Sequence, residues 1–345
     1  MDTRSTILRP VTVPRTLNGQ TAYLERTLEL LGPKLELVEE ELRSNFRSNI
    51  RTIGEVGEHI LGGGGKRMRP ALLLLVAKML KYEGRSDVSY GAVVEFIHTA
   101  TLIHDDIIDE ADVRRGRASV NYGWGNDLTV LVGDYVFMHS MSQALKEGNL
   151  EILRLLSDAT LEMIEGEILG TEQNGRVDLT VDDYFDVVRR KTAALFGVTC
   201  QIPGVLVDLP QSGKDALADY GNNLGICFQL VDDVLDFTSS TEVLGKPALS
   251  DLKEGKVTLP LILALPKATA RERELITQVA TNRSFDGADP AEILAVVQRH
   301  GSVERTREIA REYAEKARAA LSIFPDSPAK ETLDYALDFV LDREK

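Results

Sequence analysis

FIHTATLIHDDIIDE, running from Phe96 to Glu110, brings His98, Asp105 and Asp109 near one face of a helix at about 100° per residue. The stretch reads as the end of a long helix, Val88 to about Glu110, closed by a loop at Arg114, Arg115 and Gly116. Asp105 and Asp109 lie one helical turn apart, where like charges repel, and their apolar neighbours add a desolvation cost. A divalent cation relieves both problems. The cluster is rich in oxygen and has neither thiolates nor a compact histidine set, which favours magnesium over zinc. Asp106 falls off that face and is the less secure ligand: it orients the cluster, holds water or faces solvent. His98 shares the phase of the carboxylates, whereas His104 fits a local hydrogen bond. A solvated acidic helix end is the competing reading of the segment.

The pattern returns in CFQLVDDVLDF, Cys227 to Phe237. Asp232 and Asp236 are again one turn apart, and Gln229 precedes Asp232 by three residues. Asp232 can bind or bridge a metal opposite Asp105 and Asp109, with Asp236 supporting or completing the shell; Asp233 is less securely directed inward. Two matched acidic helices in one apolar chain weigh against two solvated faces. In a helical bundle they could face each other across an interior cavity. Their pairing points to a diphosphate held through metal ions.

Outward from these segments the periodicity stays helical. Amphipathic or apolar helices are expected at Thr21 to Phe46, Met68 to Leu80, Asp127 to Lys146, Leu150 to Gly170, Val181 to Val207 and Lys214 to Phe237, with shorter ones from Leu259 onward. No strand alternation persists, so the expected class is all-α, with one helical domain over 21–345 preceded by an N-terminal arm, Met1 to Gln20. A chain of 345 residues is long for one compact unit, yet helices can bury an extensive core at this size. Lys and Arg number 40 against 54 Asp and Glu, a net charge of −14 that disfavours a nucleic-acid surface while leaving room for a local basic pocket. No run of about 18 apolar residues lacks a charge, which argues against a membrane span. Cys200 and Cys227 lack disulfide-framework or metal spacing and read as buried packing; together with the absence of a secretory signal in Met1 to Gln20, this makes the cytoplasm the expected location.

Basic groups supply the complement. GGGGKRMRP, Gly62 to Pro70, sets Lys66, Arg67 and Arg69 beside a glycine run that permits close backbone approach, with cationic donors for phosphate oxygens. It is not a P-loop, which needs GxxxxGK[ST] after a strand. Arg114 and Arg115 follow the first acidic helix, Lys191 and Thr192 sit in another, and Lys246 and Lys256 lie within the turn-rich GKPALSDLKEGKVTLP. Cations around a diphosphate compensate its charge, and increasingly so as it departs as a leaving group. A solvent-facing role competes for each of them singly; together with two acidic clusters they favour two adjacent phosphate sites.

The ordered set GGGGKRMRP, FIHTATLIHDDIIDEADVRRG, RRKTAALF, GICFQLVDDVLDF and GKPALSDLKEGKVTLP resembles the trans-type isoprenyl diphosphate synthase family, especially its long-chain polyprenyl branch. The resemblance implies a helical bundle around a central elongation cavity, and a magnesium-dependent prenyltransferase with three ions in the substrate complex. Its substrates would be isopentenyl diphosphate and an allylic diphosphate. It implies Asp105, Asp109 and Asp232 as leading metal ligands, with Asp106, Asp233 and Asp236 in support. Lys66, Arg69, His98 and Arg115 match the isopentenyl diphosphate side; Arg114, Lys191, Thr192, Gln229 and Lys256 match the allylic side, with Lys246 assisting. Long-chain relatives often carry glutamine after the EGE segment, where EGEILGTEQ has Gly170, so that supporting contact is left unassigned. A homodimer is also implied, and an apolar product would meet membranes peripherally.

Product length is the finer expectation. The resemblance marks Ala100, five residues before Asp105, as length-sensitive, and its small side chain matches the long-chain pattern; helical phase instead puts Thr101 nearer the metal face. Met138, Met141 and Leu145 have the spacing of a lower cavity wall or of ordinary core. A short-chain farnesyl or geranylgeranyl diphosphate synthase, a helical terpene cyclase and a non-catalytic subunit of a heteromeric synthase are the alternatives. The separate basic site and the second acidic cluster weigh against the last two.

Overall fold

Helices carry nearly all of the regular structure in the computed structural model, which describes residues 19–114, 116–238 and 248–343. The arm up to Asn18, Arg115 and Lys246 lie outside the described residues. In order come α1 (Gly19–Asn45), α2 (Arg51–Gly62), α3 (Met68–Met79), α4 (Ser86–Ile108), the two-residue strands β1 (Val113–Arg114) and β2 (Arg117–Ala118), α5 (Val120–Trp124), α6 (Asn126–Lys146) and α7 (Leu150–Gln173). Then follow α8 (Val181–Val188), a π turn (Arg189–Ala193), α9 (Ala194–Leu206) and α10 (Gln211–Thr238). Helices at Ser250–Lys253, Leu259–Ala264, Ala270–Asn282, Pro290–Arg299, Ser302–Ala320 and Pro328–Leu341 complete the chain. The all-α expectation holds, and β1 and β2 form an antiparallel ladder that only tightens one turn.

Two compact units emerge. The first comprises the chain up to Leu156 with Thr199–Lys214 and Asp326–Tyr335; the second comprises Ser157–Val198, Asp215–Pro325 and the chain from Ala336. In the first, Leu72 to Ala77 of α3 are all buried, as a helix apolar around its circumference must be. α3 packs on α1 and α4, and α4 lies along α6. Phe46 meets Phe96 edge-on at 5.6 Å. Lys34 of α1 pairs with the fully buried Asp87 of α4, so removing either partner would strand the other.

Helix α2 went unread in the sequence because Gly54 and Gly57 depress helix propensity. Gly57 is required by packing: a Cβ there would lie 2.4 Å from the Phe46 ring. In the second unit, α9 and α10 approach backbone to backbone at two glycines. A Cβ at Gly221 would meet the Phe196 carbonyl oxygen at 2.2 Å, and one at Gly225 the Ala193 Cα at 2.8 Å. The single helix expected over Val181 to Val207 is instead α8, the π turn and α9.

Met138 and Leu145 overturn an expectation. They are 62% and 65% exposed, with Leu131 at 64%, and form a stripe every seven residues along α6 rather than a cavity wall or a core layer.

Candidate functional site

The first acidic cluster sits where α4 stops. The Asp109 N–H donates to the Asp105 carbonyl at 2.8 Å, Glu110 turns the chain at φ +50°, and the Ala111 N–H returns to the Asp106 carbonyl at 2.9 Å. Asp105 and Asp109 are left half-exposed one turn apart, as their spacing required. Asp106 is buried, and its carboxylate accepts from Nε of Arg114 on β1. The Asp106 carboxylate is thereby tied to β1. The hairpin is pinned to this helix end: Ser119 donates to the Ala111 carbonyl at 2.6 Å, and Asn121 Nδ2 to the Asp106 carbonyl at 3.2 Å.

Beside that end lies a cleft of about 630 Å³, counting space open to solvent, lined among others by Gly64, Arg67, Glu95, His98, Arg114 and Arg117. His98 and Arg114, assigned to opposite substrates by resemblance, line it together. Lys66 does not: it lines a neighbouring cleft with Glu39, Arg43 and Leu61, and Gly64 and Arg67 border both. Arg69, half-buried on the first turn of α3, lines neither. Arg117 and Glu95 escaped the sequence reading, although Glu95 precedes His98 by one helical turn. Ala100 is buried, while Thr101 is half-buried with its hydroxyl donating to the His98 carbonyl at 2.8 Å. His104 keeps the local role expected of it, contacting the Val130 carbonyl at 3.3 Å and Asp134 at 3.5 Å.

In the second unit, α10 presents its three aspartates differently. Asp232 is half-exposed and lies 2.8 Å from Nη1 of Arg343, whose guanidinium sits 4.6 Å over the Phe228 ring. Asp233 is buried, accepting from the Tyr184 hydroxyl at 2.6 Å and from Gln229 Nε2 at 2.9 Å. Burial pushes the Asp233 carboxyl up to about 7 despite those two bonds, with Asp232 and Asp236 adding to the rise. Gln229 in turn accepts from the Thr192 hydroxyl at 3.0 Å, so Thr192, Gln229 and Asp233 form one chain. Asp236, expected to support or complete a metal shell, is buried. Its oxygens accept from the Ser250 N–H at 3.0 Å, the Ser250 hydroxyl at 2.7 Å and the Asp251 N–H at 3.3 Å, anchoring the Ser250–Lys253 helix. Asp251, not weighed in the sequence, is raised well above the carboxylate range, by burial first and then by Asp236 and Asp233. Lys256 follows Gly255, whose φ of +89° sets the turn, and its ammonium donates to Glu254 at 2.8 Å.

Lys191 and Thr192 lie in the π turn, a form that often marks functional sites because its extra residue re-aims side chains. The turn packs on Gly166 of α7, where a Cβ would lie 2.6 Å from the Lys191 nitrogen. Lys191 pairs with Glu167 and Arg190 with Glu165 at 2.8 Å, so the EGE segment brackets the basic turn. No local pattern had marked Glu167 or Arg343.

Among the described residues no three His, Cys, Asp or Glu side chains converge into a preformed metal cage. Asp105 and Asp109 in the first unit and Asp232 in the second are half-exposed carboxylates, oxygen donors of the kind that suits a hard cation retaining water.

Residues 50–297 match the family model described as polyprenyl synthetase. The octaprenyl diphosphate synthase of Escherichia coli (strain K12) is 39% identical over 311 residues, 90% of this chain and 96% of that protein. Among solved structures, a polyprenyl synthase from Caulobacter crescentus CB15 complexed with calcium and isoprenyl diphosphate superposes with a TM-score of 0.88 at 32% identity, covering 96% of this chain and 100% of that one. A decaprenyl diphosphate synthase from Rhodobacter capsulatus gives 0.87 at 37% identity, covering 93% and 99%.

Proposed function

Because the chain belongs to the polyprenyl synthetase family, we propose that it condenses isopentenyl diphosphate successively onto an allylic diphosphate, releasing diphosphate and building a long-chain trans-polyprenyl diphosphate. It is a prenyltransferase. The observation that carries the two-substrate reading is the end of α4. Asp106 and Arg114 line a cleft with His98, while Asp105 and Asp109 on the same helix end are half-exposed one turn apart, which supports one place for an anion held by cations and another for one held through metal.

Asp105, Asp109 and Asp232 are the leading metal ligands, with Asp106, Asp233 and Asp236 holding the acidic turns in shape. The family is magnesium-dependent, and we infer three ions in the substrate complex. Magnesium held by these carboxylates would neutralise the diphosphate and ease its departure. Lys191, Lys256, Arg114, Thr192 and Gln229 orient the allylic diphosphate, with Lys246 assisting, and their charge counts most as the carbon–oxygen bond breaks. Lys66, Arg69, His98 and Arg115 hold isopentenyl diphosphate so that its double bond meets the allylic cation. The new carbon–carbon bond forms, a proton leaves to the departed diphosphate, and the alkene is restored. No side chain of the protein attacks carbon.

The similarity to octaprenyl and decaprenyl synthases supports a long product, and the small Ala100 agrees with it. The exposed stripe Leu131, Met138 and Leu145 supports a homodimer, since each protomer would otherwise leave that face in water. No helix among the described residues is long and apolar enough to cross a membrane. We place the enzyme in the cytoplasm, with peripheral membrane contact as the route of product release. The test is product analysis by mass: purified protein, magnesium, excess isopentenyl diphosphate and several allylic starters should give a ladder in five-carbon steps reaching about eight or nine isoprene units. Products that stop at fifteen or twenty carbons would overturn the long-chain reading, and rearrangement of the allylic substrate alone would overturn the condensation.

A further inference from the structure

Within GGGGKRMRP the proposed function uses Lys66 and Arg69 but leaves Arg67 without a role. Arg67 is the residue immediately before α3, and its φ of +45° and ψ of +37° place it in the left-handed region that side chains other than glycine avoid. A strained backbone persists only where its surroundings fix it. Here the guanidinium turns back into the protein, with Nε donating to Glu39 of α1 at 2.6 Å and Nη1 donating to Glu95 of α4 at 2.9 Å. Both glutamates are buried, and the arginine side chain is only 15% exposed. Burial disfavours its charge, but Glu95 and Glu39 outweigh that effect and raise its pKa, so it stays protonated. Arg67 and Gly64 are also the residues that border both clefts, one containing His98 and the other Lys66.

We infer that Arg67 is a positioning residue for isopentenyl diphosphate, clamped by Glu39 and Glu95 so that Lys66 emerges from the glycine loop in one fixed direction; this rests on the reading of Lys66 above. The physical reason lies in what happens when the clamp is released. Freed from its carboxylates, Arg67 relaxes into the right-handed region and α3 gains a residue at its start. Each residue added to a helix advances about 1.5 Å and turns about 100°, so Lys66 is carried off its present bearing. The charge count decides which variant is informative. Two carboxylates serve one guanidinium, so Glu95→Gln leaves a matched pair, whereas removing Arg67 leaves two buried carboxylates side by side.

The experiment compares Glu95→Gln, Glu95→Asp and Lys66→Ala with wild type, varying each substrate separately. Glu95→Gln should raise KM for isopentenyl diphosphate roughly tenfold, equivalent to about 1.4 kcal/mol, with kcat, the allylic KM and the circular dichroism spectrum nearly unchanged. Glu95→Asp, which keeps the charge, should recover much of the loss. Hydrogen exchange measured by mass spectrometry should quicken across 63–69 in Glu95→Gln. A folded Glu95→Gln with unaltered KM for isopentenyl diphosphate, or with both KM values raised alike, while Lys66→Ala raises that KM, overturns the positioning role. If Lys66→Ala leaves it unaltered, the reading of Lys66 as a ligand fails; the exchange result then decides the clamp, and unchanged protection over 63–69 overturns it.

Discussion

Gly166→Ala sets helix propensity against backbone crowding, and the two effects have opposite signs. Propensity alone favours alanine inside α7 by about 1 kcal/mol. The added Cβ, however, would lie 2.6 Å from the Lys191 nitrogen, 2.7 Å from the Arg190 Cβ and 3.1 Å from the Arg190 carbonyl carbon. Two of these three are backbone atoms that no side-chain rotation can clear. Restoring contacts of roughly 3.5 Å needs α7 and the π turn to part by about 1 Å. Overpacking of this kind costs about 1–3 kcal/mol, and backbone contact puts the case at the upper end. Subtracting the propensity gain leaves a net loss of about 2 kcal/mol, or a thermal midpoint lower by about 3 °C for a chain of this length. The same displacement moves Lys191, and a shift of about 1 Å in a substrate-orienting group can cost up to roughly 100-fold in rate. Thermal melts followed at 222 nm, together with kinetics in which the allylic substrate is varied, measure both. A variant at least as stable as wild type, with unchanged kcat/KM for the allylic diphosphate, would refute the close approach and the role given to the turn.

Asp105→Ala and Asp232→Ala should each lower turnover by roughly 100-fold or more while keeping the helical circular dichroism signal; normal magnesium-dependent turnover in both folded variants would exclude the metal assignment. Ala100→Tyr and Thr101→Tyr, assayed at matched substrate ratios, should shorten the products while the first condensation survives. The larger effect is expected at the buried Ala100, and full-length product from both variants would move length control elsewhere. Cys200 and Cys227 are buried, and burial lifts both thiols, Cys227 to about 12. Native protein at pH 8 should therefore resist iodoacetamide until unfolded, and rapid labelling detected by intact mass would contradict the packing around them.

The helical class and the phase of Asp105, Asp109 and Asp232 were legible because one-turn spacing survives whatever the rest of the fold does. The fates of Asp106 and Asp236 were not. Each lies near the end of a long helix, and its partner, Arg114 or Ser250, comes from a segment that doubles back over that end. Periodicity describes one helix at a time and carries no information about such a return. The same limit hid Glu167, which the sequence places far from Lys191, and Arg343, which reaches Asp232 from the far end of the chain. Arg67 was visible as a charge in a basic run, where the simplest expectation is a side chain facing water or ligand. Its inward turn depends on a left-handed backbone that nothing in GGGGKRMRP requires. Met138 and Leu145 show the converse error, since apolar spacing finds a stripe without saying what covers it.

The π turn at Arg189–Ala193 contains one residue more than an α turn of the same span, so α9 starts about 100° further round than an uninterrupted helix would place it. The contacts of α9 with α10 depend on that offset: Gly197 faces the Asn222 side chain, and the Phe196 carbonyl passes over Gly221. A chain lacking a single residue between Arg189 and Ala193 would therefore suffer a change of register rather than a local defect. Larger side chains would turn toward places that admit only glycine, and no single substitution elsewhere would restore the fit. The inserted residue acts as a phase shifter, so length variation in this part of the chain should be confined to the loops.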